Sequence, residues 1–531
     1  MARFKRISVW MLCMFSGVIF FISANLQAEP NDIVTVAINS EPTTINQVQW
    51  KTDIDGVVTF PMHQILGGRN YKGRPQFNLA KSVHPTAGAT RIKVKMRKGG
   101  VFHTGDPVTA HDVKFSYEQV LAPENANVTS ATFGVIDEIE IIDDYTMVFN
   151  LYDPMGQWEE SLFWPCIHSK KYYEKVGRKK FLKHPIGSGP FKFVERKIGE
   201  SITYERFDGY VDVSPENTKK YADDLGVNPK VNFKTLKFLI VPDAITRIAM
   251  FETGELDLIY DIEPHQLKGL QKNSTIKIKK SVHAPSLFGM AFRVDNFPFL
   301  KDKNLKWAIA TAINRQEIID KAFLGEGYPL YMFANKVEEG YDPKYKTRFK
   351  FNLEKSRAYL KKSSYKPGTP LMMTYPAGLP QINTVAPMIQ DYLKQAGITI
   401  ELVQLEAGTF ITYSFTNDKR LGPLSIYSWA GEPNPNFRLQ ASISSNSSYC
   451  VYRTRPNKEE IDALVEAQAY EPDKVKRRKI LAKIHKELAE DSSGTILYGL
   501  HQIYAMSNRI EWVWSKKAQA PFSLSGIRMV K

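Results

Sequence analysis

At 531 residues the chain exceeds what one hydrophobic core organises, so two or more domains are expected. Hydrophobic residues at 43% and charged residues at 24% are ordinary for a soluble globular protein, and no low-complexity tract or internal repeat is present. A formal charge of +15 suits nucleic acid, an anionic membrane surface or acidic ligands, but Lys and Arg are interleaved with Asp and Glu throughout. The runs at Lys170-Lys171, Arg178-Lys179-Lys180 and residues 474–479 are interrupted by apolar residues at helical spacing. They read as solvated helix faces, and nucleic-acid binding is disfavoured.

The N-terminus has the pattern of a secretory signal. Arg3, Lys5 and Arg6 precede an apolar run over residues 7–22, and Leu26-Gln27-Ala28 ends in a small residue, so cleavage is expected after Ala28. Losing Arg3, Lys5 and Arg6, with no acidic residue before Glu29, takes the formal charge from +15 to +12. A retained anchor is the competing reading. A lipoprotein is disfavoured because Cys13 lies inside the apolar run. Cys166 and Cys450 remain after cleavage, either bonded or as two isolated thiols.

The mature chain opens with an apolar strand at 33–38. Residues 60–66 read as a helix ended by Gly67-Gly68. Ile92, Val94 and Met96 alternate with Lys93, Lys95 and Arg97, which is a strand with one apolar face. Glycine-containing turns at 98–100 and 105–107 follow, then Thr109 and Asp112 in capping-box spacing before a helix whose apolar face is Val113, Tyr117, Val120 and Leu121. Strands at 136–142 and 146–151 flank Asp143-Asp144 as a hairpin, and the aromatic-rich stretch 158–167 reads as buried core.

In PIGSGPF (residues 185–191) two glycines around Ser188 permit close backbone approach; it is no nucleophile elbow, since Ile186 stands where the first glycine would be. Strands follow at 202–206 and 236–240, with an inserted polar loop at 211–228 between them and a helix at 242–251 after them. An interdomain crossover is placed at 282–290. Beyond it come a strand at 287–292, one amphipathic helix over 305–322, helices at 352–361 and 387–396 (ended by Gly397), and two helices within 458–489. A single strand over 495–504 is expected to return to the first domain.

Four of these stretches carry a resemblance. FHTGDPVTAHDV (102–113), PIGSGPF, GELDL (254–258) and LKWAIATAINRQEII (305–319) are similar to family 5 extracellular solute-binding proteins, the receptors of peptide and nickel ABC importers, and most like their dipeptide-binding branch. The resemblance implies an α/β, two-lobed periplasmic-binding-protein fold of type II, cluster C-like, with mixed sheets and a hinge. Residues 1–28 would be the signal peptide. Residues 29–284 and 504–531 would form lobe I, with an extra subdomain around 75–190, and residues 285–503 would form lobe II. It further implies a monomeric periplasmic receptor that captures a peptide or other small molecule and delivers it to permease subunits, with no cofactor.

The candidate ligand site is LSIYSWAGEPNP (424–435), a strand leading into a loop with one acid and two aromatics. Tyr427, Trp429, Gly431 and Glu432 are its site residues. In peptide-binding relatives an aspartate at the position of Glu432 pairs with the ligand's α-amino group. Glutamate reaches one methylene further, so the ligand would be displaced; Glu432 is also readable as a solvated loop acid and Trp429 as core. Where the dipeptide-binding branch has an arginine before a proline, Leu379-Pro380 stands here, which puts a fixed dipeptide length in doubt. Arg293 stands where asparagine is common and would bind an anionic ligand group if it faced the cleft; otherwise it is an outward strand arginine.

An enzyme is disfavoured. Ser274 and Lys277 fit Ser-x-x-Lys, the remote case for a serine-type hydrolase, but no Lys-Thr-Gly partner exists. The ten histidines are scattered, with no i, i+4 pair, so no metal ligands are assigned and any metal would be carried as a chelate. An anionic opine or sugar is the other alternative ligand.

Overall fold

The computed structural model describes residues 32–69, 75–127, 129–217, 219, 231–281, 286–336, 338–344, 349–430, 435–447, 457–491, 494–512 and 524–530. The signal sequence, most of the 211–228 loop, Gly431, Glu432 and Cys450 therefore lie outside the described residues.

Two large mixed sheets carry the chain. In the seven-stranded sheet the spatial order is Ile276–Lys280, Ile503–Ser507, Leu258–Tyr260, Ile33–Ile38, Thr235–Ile240, Ser201–Arg206 and Phe191–Lys197. Ile33–Ile38 is parallel to both of its neighbours, and the outer pairs are antiparallel. Strands with parallel partners on both sides are covered on both faces and read as apolar runs rather than alternating ones. IVTVAI is such a run: Val34, Val36 and Ile38 face one core, and Ala37 faces another. Each buried branched side chain contributes about 1.5–3 kcal/mol.

The six-stranded sheet runs Gly327–Pro329, Gly494–Leu500, Ser286–Phe292, Leu424–Ala430, Leu371–Pro376, Ile400–Leu405. It too is covered on both faces. Phe288, Met290 and Phe292 pack with Leu424 and Ile426 against helices Lys303–Ala312 and Pro380–Ala396. Leu287 and Ala291 pack with Tyr427 and Trp429 against helices Lys458–Tyr470 and Lys474–Asp491. A four-stranded antiparallel sheet, Ala80–Pro85, Arg91–Met96, Thr146–Leu151 and Ile136–Asp143, carries a separate core that includes Trp158, Leu162, Phe163 and Ile167. The expectation of buried core over 158–167 therefore holds. Cys166, beside them, is a buried free thiol whose pKa burial pushes up.

The turn-rich stretch before helix Ala110–Leu121 folds as its residues dictate. Thr109 and Asp112 form a capping box, with Asp112 Oδ2 accepting from the Thr109 N–H at 2.9 Å. His103 joins this stretch to PIGSGPF: its N–H donates to the Gly187 carbonyl at 2.8 Å, and its ring bonds the Gly187 N–H and the Gly189 carbonyl. A Cβ on Gly187 or Gly189 would overlap the Met62 backbone, so the glycines permit the close approach expected of them.

Five expectations are corrected. The helix placed at 60–66 is Asp53–Thr59, started by a Thr52–Asp55 capping box; Pro61 then allows a single 3₁₀ turn, Phe60–Met62. The helix over 305–322 is two, Lys303–Ala312 and Arg315–Ala322. Ile313 leaves helical geometry and Asn314 caps the second helix by accepting from the Glu317 N–H. The helix begun at Pro387 begins at Pro380, with Pro387 inside it and Gly397, at φ 97°, ending it. The strand over 495–504 is two strands in different sheets, Gly494–Leu500 and Ile503–Ser507. Among residues 474–479, Arg477 is not solvated: it is 1% exposed, because its guanidinium reaches the Gly156 carbonyl and Glu339.

Candidate functional site

The chain leaves the seven-stranded sheet after Lys280, enters the six-stranded sheet at Ser286, leaves it after Leu500 and returns at Ile503. The two crossings are bonded to each other. Ser281 N–H donates to the Gln502 carbonyl, the Gln502 N–H donates to Ser281 Oγ (both 2.9 Å), and His501 Nδ1 lies 2.6 Å from the Ser281 carbonyl. Lys280 and Glu326 form an ion pair across the crossing at 2.5 Å.

Strand Leu424–Ala430 pairs with Ser286–Phe292 so that Tyr427 lies opposite Gly289 and Trp429 opposite Leu287. The period of two puts Tyr427 and Trp429 on one face, where their rings stack at 5.5 Å and 25°. Phe410 packs on Tyr427 at 5.1 Å and Phe333 edge-on against Trp429 at 5.2 Å. Both are nearly covered, Tyr427 at 2% and Trp429 at 4%.

Arg293 follows strand Ser286–Phe292 on that same face and is 1% exposed, so it is not an outward strand arginine. Its Nη1 donates to Tyr427 Oη at 3.1 Å, and Nη2 donates to Asn417 Oδ1. Ser414 Oγ also bonds Tyr427 Oη, at 2.9 Å. Burial pushes the Tyr427 phenol pKa up, while Arg293 opposes that shift. The structure thus brings Tyr427, Trp429 and Arg293 together as one braced wall under the end of the strand. Leu379 caps helix Pro380–Ala396 and packs against the neighbouring core.

Two features escaped the sequence reading. Arg438 and Glu338 form a fully buried ion pair, with Arg438 Nη1 donating to Glu338 Oε1 at 3.0 Å and the guanidinium 5.0 Å over the Phe333 ring that abuts Trp429. Nothing in the local sequence links residues a hundred positions apart. Asp261, at the end of Leu258–Tyr260, accepts from Asn39 Nδ2 at 3.1 Å and from Gln502 Nε2 in the return crossing at 3.4 Å. An acid in a turn directly after a buried strand was a signal for it.

Among the described residues no group of three or more His, Cys, Asp or Glu side chains is placed to hold a metal ion. Lys277 Nζ points to the Ile510 carbonyl at 3.5 Å, which gives the Ser-x-x-Lys pattern no support. No helix of the described residues is long and apolar enough to cross a membrane.

The family description "Bacterial extracellular solute-binding proteins, family 5 Middle" matches residues 74–449. The oligopeptide-binding protein AppA of Bacillus subtilis is 24% identical over 516 residues, spanning 92% of this chain and 90% of that one. Its structure in complex with a nonapeptide superposes with a TM-score of 0.72 at 22% identity, covering 94% of this chain and 99% of that chain. The ABC transporter substrate-binding protein CtaP of Listeria monocytogenes gives a TM-score of 0.82 at 23% identity (94% and 99% covered), and NikZ of Campylobacter jejuni in complex with Ni(L-His) gives 0.75 at 18% (94% and 100%). These likenesses show the fold, α/β and two-lobed with a hinge, of the type II periplasmic-binding-protein kind. By the match over residues 74–449, the chain belongs to the family 5 extracellular solute-binding proteins.

Proposed function

We propose that this protein is the receptor of an ABC importer, closing two lobes around a peptide or peptide-like compound and delivering it to permease subunits. The observation that carries the reading is the braced aromatic wall of Tyr427 and Trp429 at the end of strand Leu424–Ala430, in a chain whose similar protein AppA is an oligopeptide-binding protein. Rigid aromatics beside a loop suit recognition of an extended ligand by shape, with few placed polar groups. Tyr427, Trp429, Gly431 and Glu432 are the proposed site, with Glu432 meeting the ligand's amino group and the nearly covered Tyr427 and Trp429 backing the loop that carries it. Arg293, engaged by Tyr427 and Asn417, enters this site as the group that fixes Tyr427.

Lobe I is proposed to comprise 29–284 and 504–531, with the four-stranded sheet inside a subdomain around 75–190, and lobe II to comprise 285–503. The two crossings at 280–286 and 500–503 support these limits. Residues 1–28 would be removed on export, leaving a monomer in the periplasm. No enzymatic step is assigned. A second reading, capture of a metal chelate, is favoured by the likeness to NikZ with Ni(L-His). An anionic opine or sugar is the remaining alternative.

A thermal-shift screen of the mature protein, refolded to strip bound ligand, tests the reading. Its panel is di- to pentapeptides, nickel with and without histidine, and anionic sugars or opines. A bound ligand raises stability by about 2.7 kcal/mol at a hundredfold excess over Kd. A peptide response lost in Glu432→Ala supports the proposal. A shift with chelate or anion alone overturns the ligand class and keeps the receptor.

A further inference from the structure

Arg315 opens helix Arg315–Ala322 and is 2% exposed, yet among the described residues no carboxylate pairs with it. Arg438 and Arg477, equally buried, each meet a glutamate. Arg315 meets carbonyls instead. Its Nε donates to Ile496 at 2.9 Å, and its Nη1 donates to Ala310 at 3.0 Å and to Phe349 at 3.1 Å. Those bonds use three of the five N–H groups of a guanidinium, and the two on Nη2 have no protein acceptor among the described residues. The Tyr331 ring lies over the charge, its centroid 4.8 Å from Cζ, but a ring face compensates a buried cation only in part. Burial accordingly pulls the Arg315 pKa down, to about 10.

A cavity of about 20 Å³ adjoins this guanidinium, lined by Arg315, Tyr331, Phe333, Phe349, Leu488 and Thr495 among others. That is room for one water molecule or one monatomic ion. No acidic side chain lines it, so nothing in its wall repels an anion. Thr495 precedes the Ile496 carbonyl that Arg315 holds, is 3% exposed, and its Oγ1 has no hydrogen-bond partner among the described residues. A buried hydroxyl without a partner and a buried cation without a counter-charge are both costly. A water in the cavity would satisfy the donors and leave the charge unanswered. An anion answers both.

We infer that Arg315 Nη2 and Thr495 Oγ1 hold a single small anion, chloride, in this cavity. Both groups donate to it, and the bond from the guanidinium is charge-assisted. Phe333 forms part of the cavity wall and packs edge-on against Trp429, while Thr495 lies in the strand that runs into the return crossing. The ion therefore braces the core behind the candidate ligand wall.

Thermal unfolding of the mature protein, with chloride replacing gluconate at constant ionic strength, tests the site. Gluconate is too large for the cavity, and constant ionic strength holds general screening fixed. The melting temperature is expected to rise and saturate as chloride replaces gluconate, because an ion held by the folded state alone stabilises that state. Arg315 also holds three carbonyls, so its removal would not separate binding from folding. Thr495→Val does: it is expected to melt no lower in gluconate and to bind chloride about tenfold more weakly. Crystals soaked in bromide are expected to show an anomalous peak within hydrogen-bond reach of Arg315 Nη2 and Thr495 Oγ1. A melting temperature indifferent to the anion overturns the site, whether the cavity then shows a water or a bromide bound at soaking concentration only. A chloride response undiminished in Thr495→Val, or bromide found at the surface alone, overturns it as well. The receptor reading stands under each of these outcomes.

Discussion

At the scale of single residues, the sharpest demands come from charges and rings buried without water. The Arg438–Glu338 pair lies beneath Phe333 and hence beneath Trp429. Desolvation raises the Glu338 pKa, and Arg438 opposes the rise, so the pair holds because each charge answers the other. Glu338→Gln leaves a buried guanidinium without a counter-charge and is expected to cost about 3–5 kcal/mol in urea unfolding, whereas Glu338→Leu combined with Arg438→Met costs much less. Histidines set the acid limit. His103, His168 and His485 are held neutral by burial, at about 4, 3 and 3, and His63, its ring 4.5 Å from that of His168, is lowered well below 6.5. The unfolded chain, with histidines near 6.5, takes up these protons first. Stability is therefore complete above about pH 6.5 and is lost as pH falls toward 4, by up to about 1.4 kcal/mol per pH unit for each histidine. Urea midpoints at pH 7 and pH 5 check this, and His168→Leu should flatten the difference.

At the scale of elements, spacing located most strands and misplaced several helix limits. Ile33–Ile38 and Thr146–Leu151 fall where their apolar patterns put them. Ile313 and Asn314 looked like interior residues of one helix, yet the side chain of Asn314 offers the backbone a cap, and the chain turns there. Asn314→Ala is expected to lower stability by about 1 kcal/mol, read as a fall in melting temperature. The packing of PIGSGPF on Met62 makes a stronger claim. Gly187→Ala places a methyl in the Met62 carbonyl, where backbone on both sides forbids retreat, and is expected to destabilise by about 3 kcal/mol or more. Gly199→Ala, with open space about its Cβ but a left-handed φ of 74°, is expected to cost about 1 kcal/mol, which separates overlap from backbone strain.

At the scale of the whole molecule, a clasp joins residues 156–159, beyond the four-stranded sheet, to the C-terminal helices packed on the six-stranded sheet. Gly156 N–H donates to the Ala469 carbonyl at 2.7 Å, Arg477 returns a bond to the Gly156 carbonyl, Gln157 Nε2 donates to Gln468 Oε1 at 3.1 Å, and Lys474 pairs with Glu159. A cavity of about 280 Å³ lies beside it, lined in part by Trp158, Pro472 and Arg477. With the lobe limits proposed above, these bonds would join one lobe to the other and favour closure over opening. A charged hydrogen bond contributes about 1.5–3 kcal/mol, enough to change the closed-to-open ratio about tenfold or more. Arg477→Met is expected to increase the radius of gyration of the unliganded protein in small-angle scattering, and added ligand should reverse the increase. An unchanged radius would mean that the clasp does not govern closure.

The sequence by itself determined the family, through short motifs whose glycines and capping residues have few substitutes, and the strands, because a period of two survives without tertiary information. It also located the strand that carries Tyr427 and Trp429. Tertiary structure alone decided the partners: that Arg293 turns inward to Tyr427, that Arg438 meets Glu338, that Asp261 is held by residues from two distant segments, and that Arg477 leaves its solvated helix face to reach Gly156. The reason is physical. Periodicity and capping are local properties of a chain, whereas the fate of a charge depends on which distant groups surround it once water is excluded.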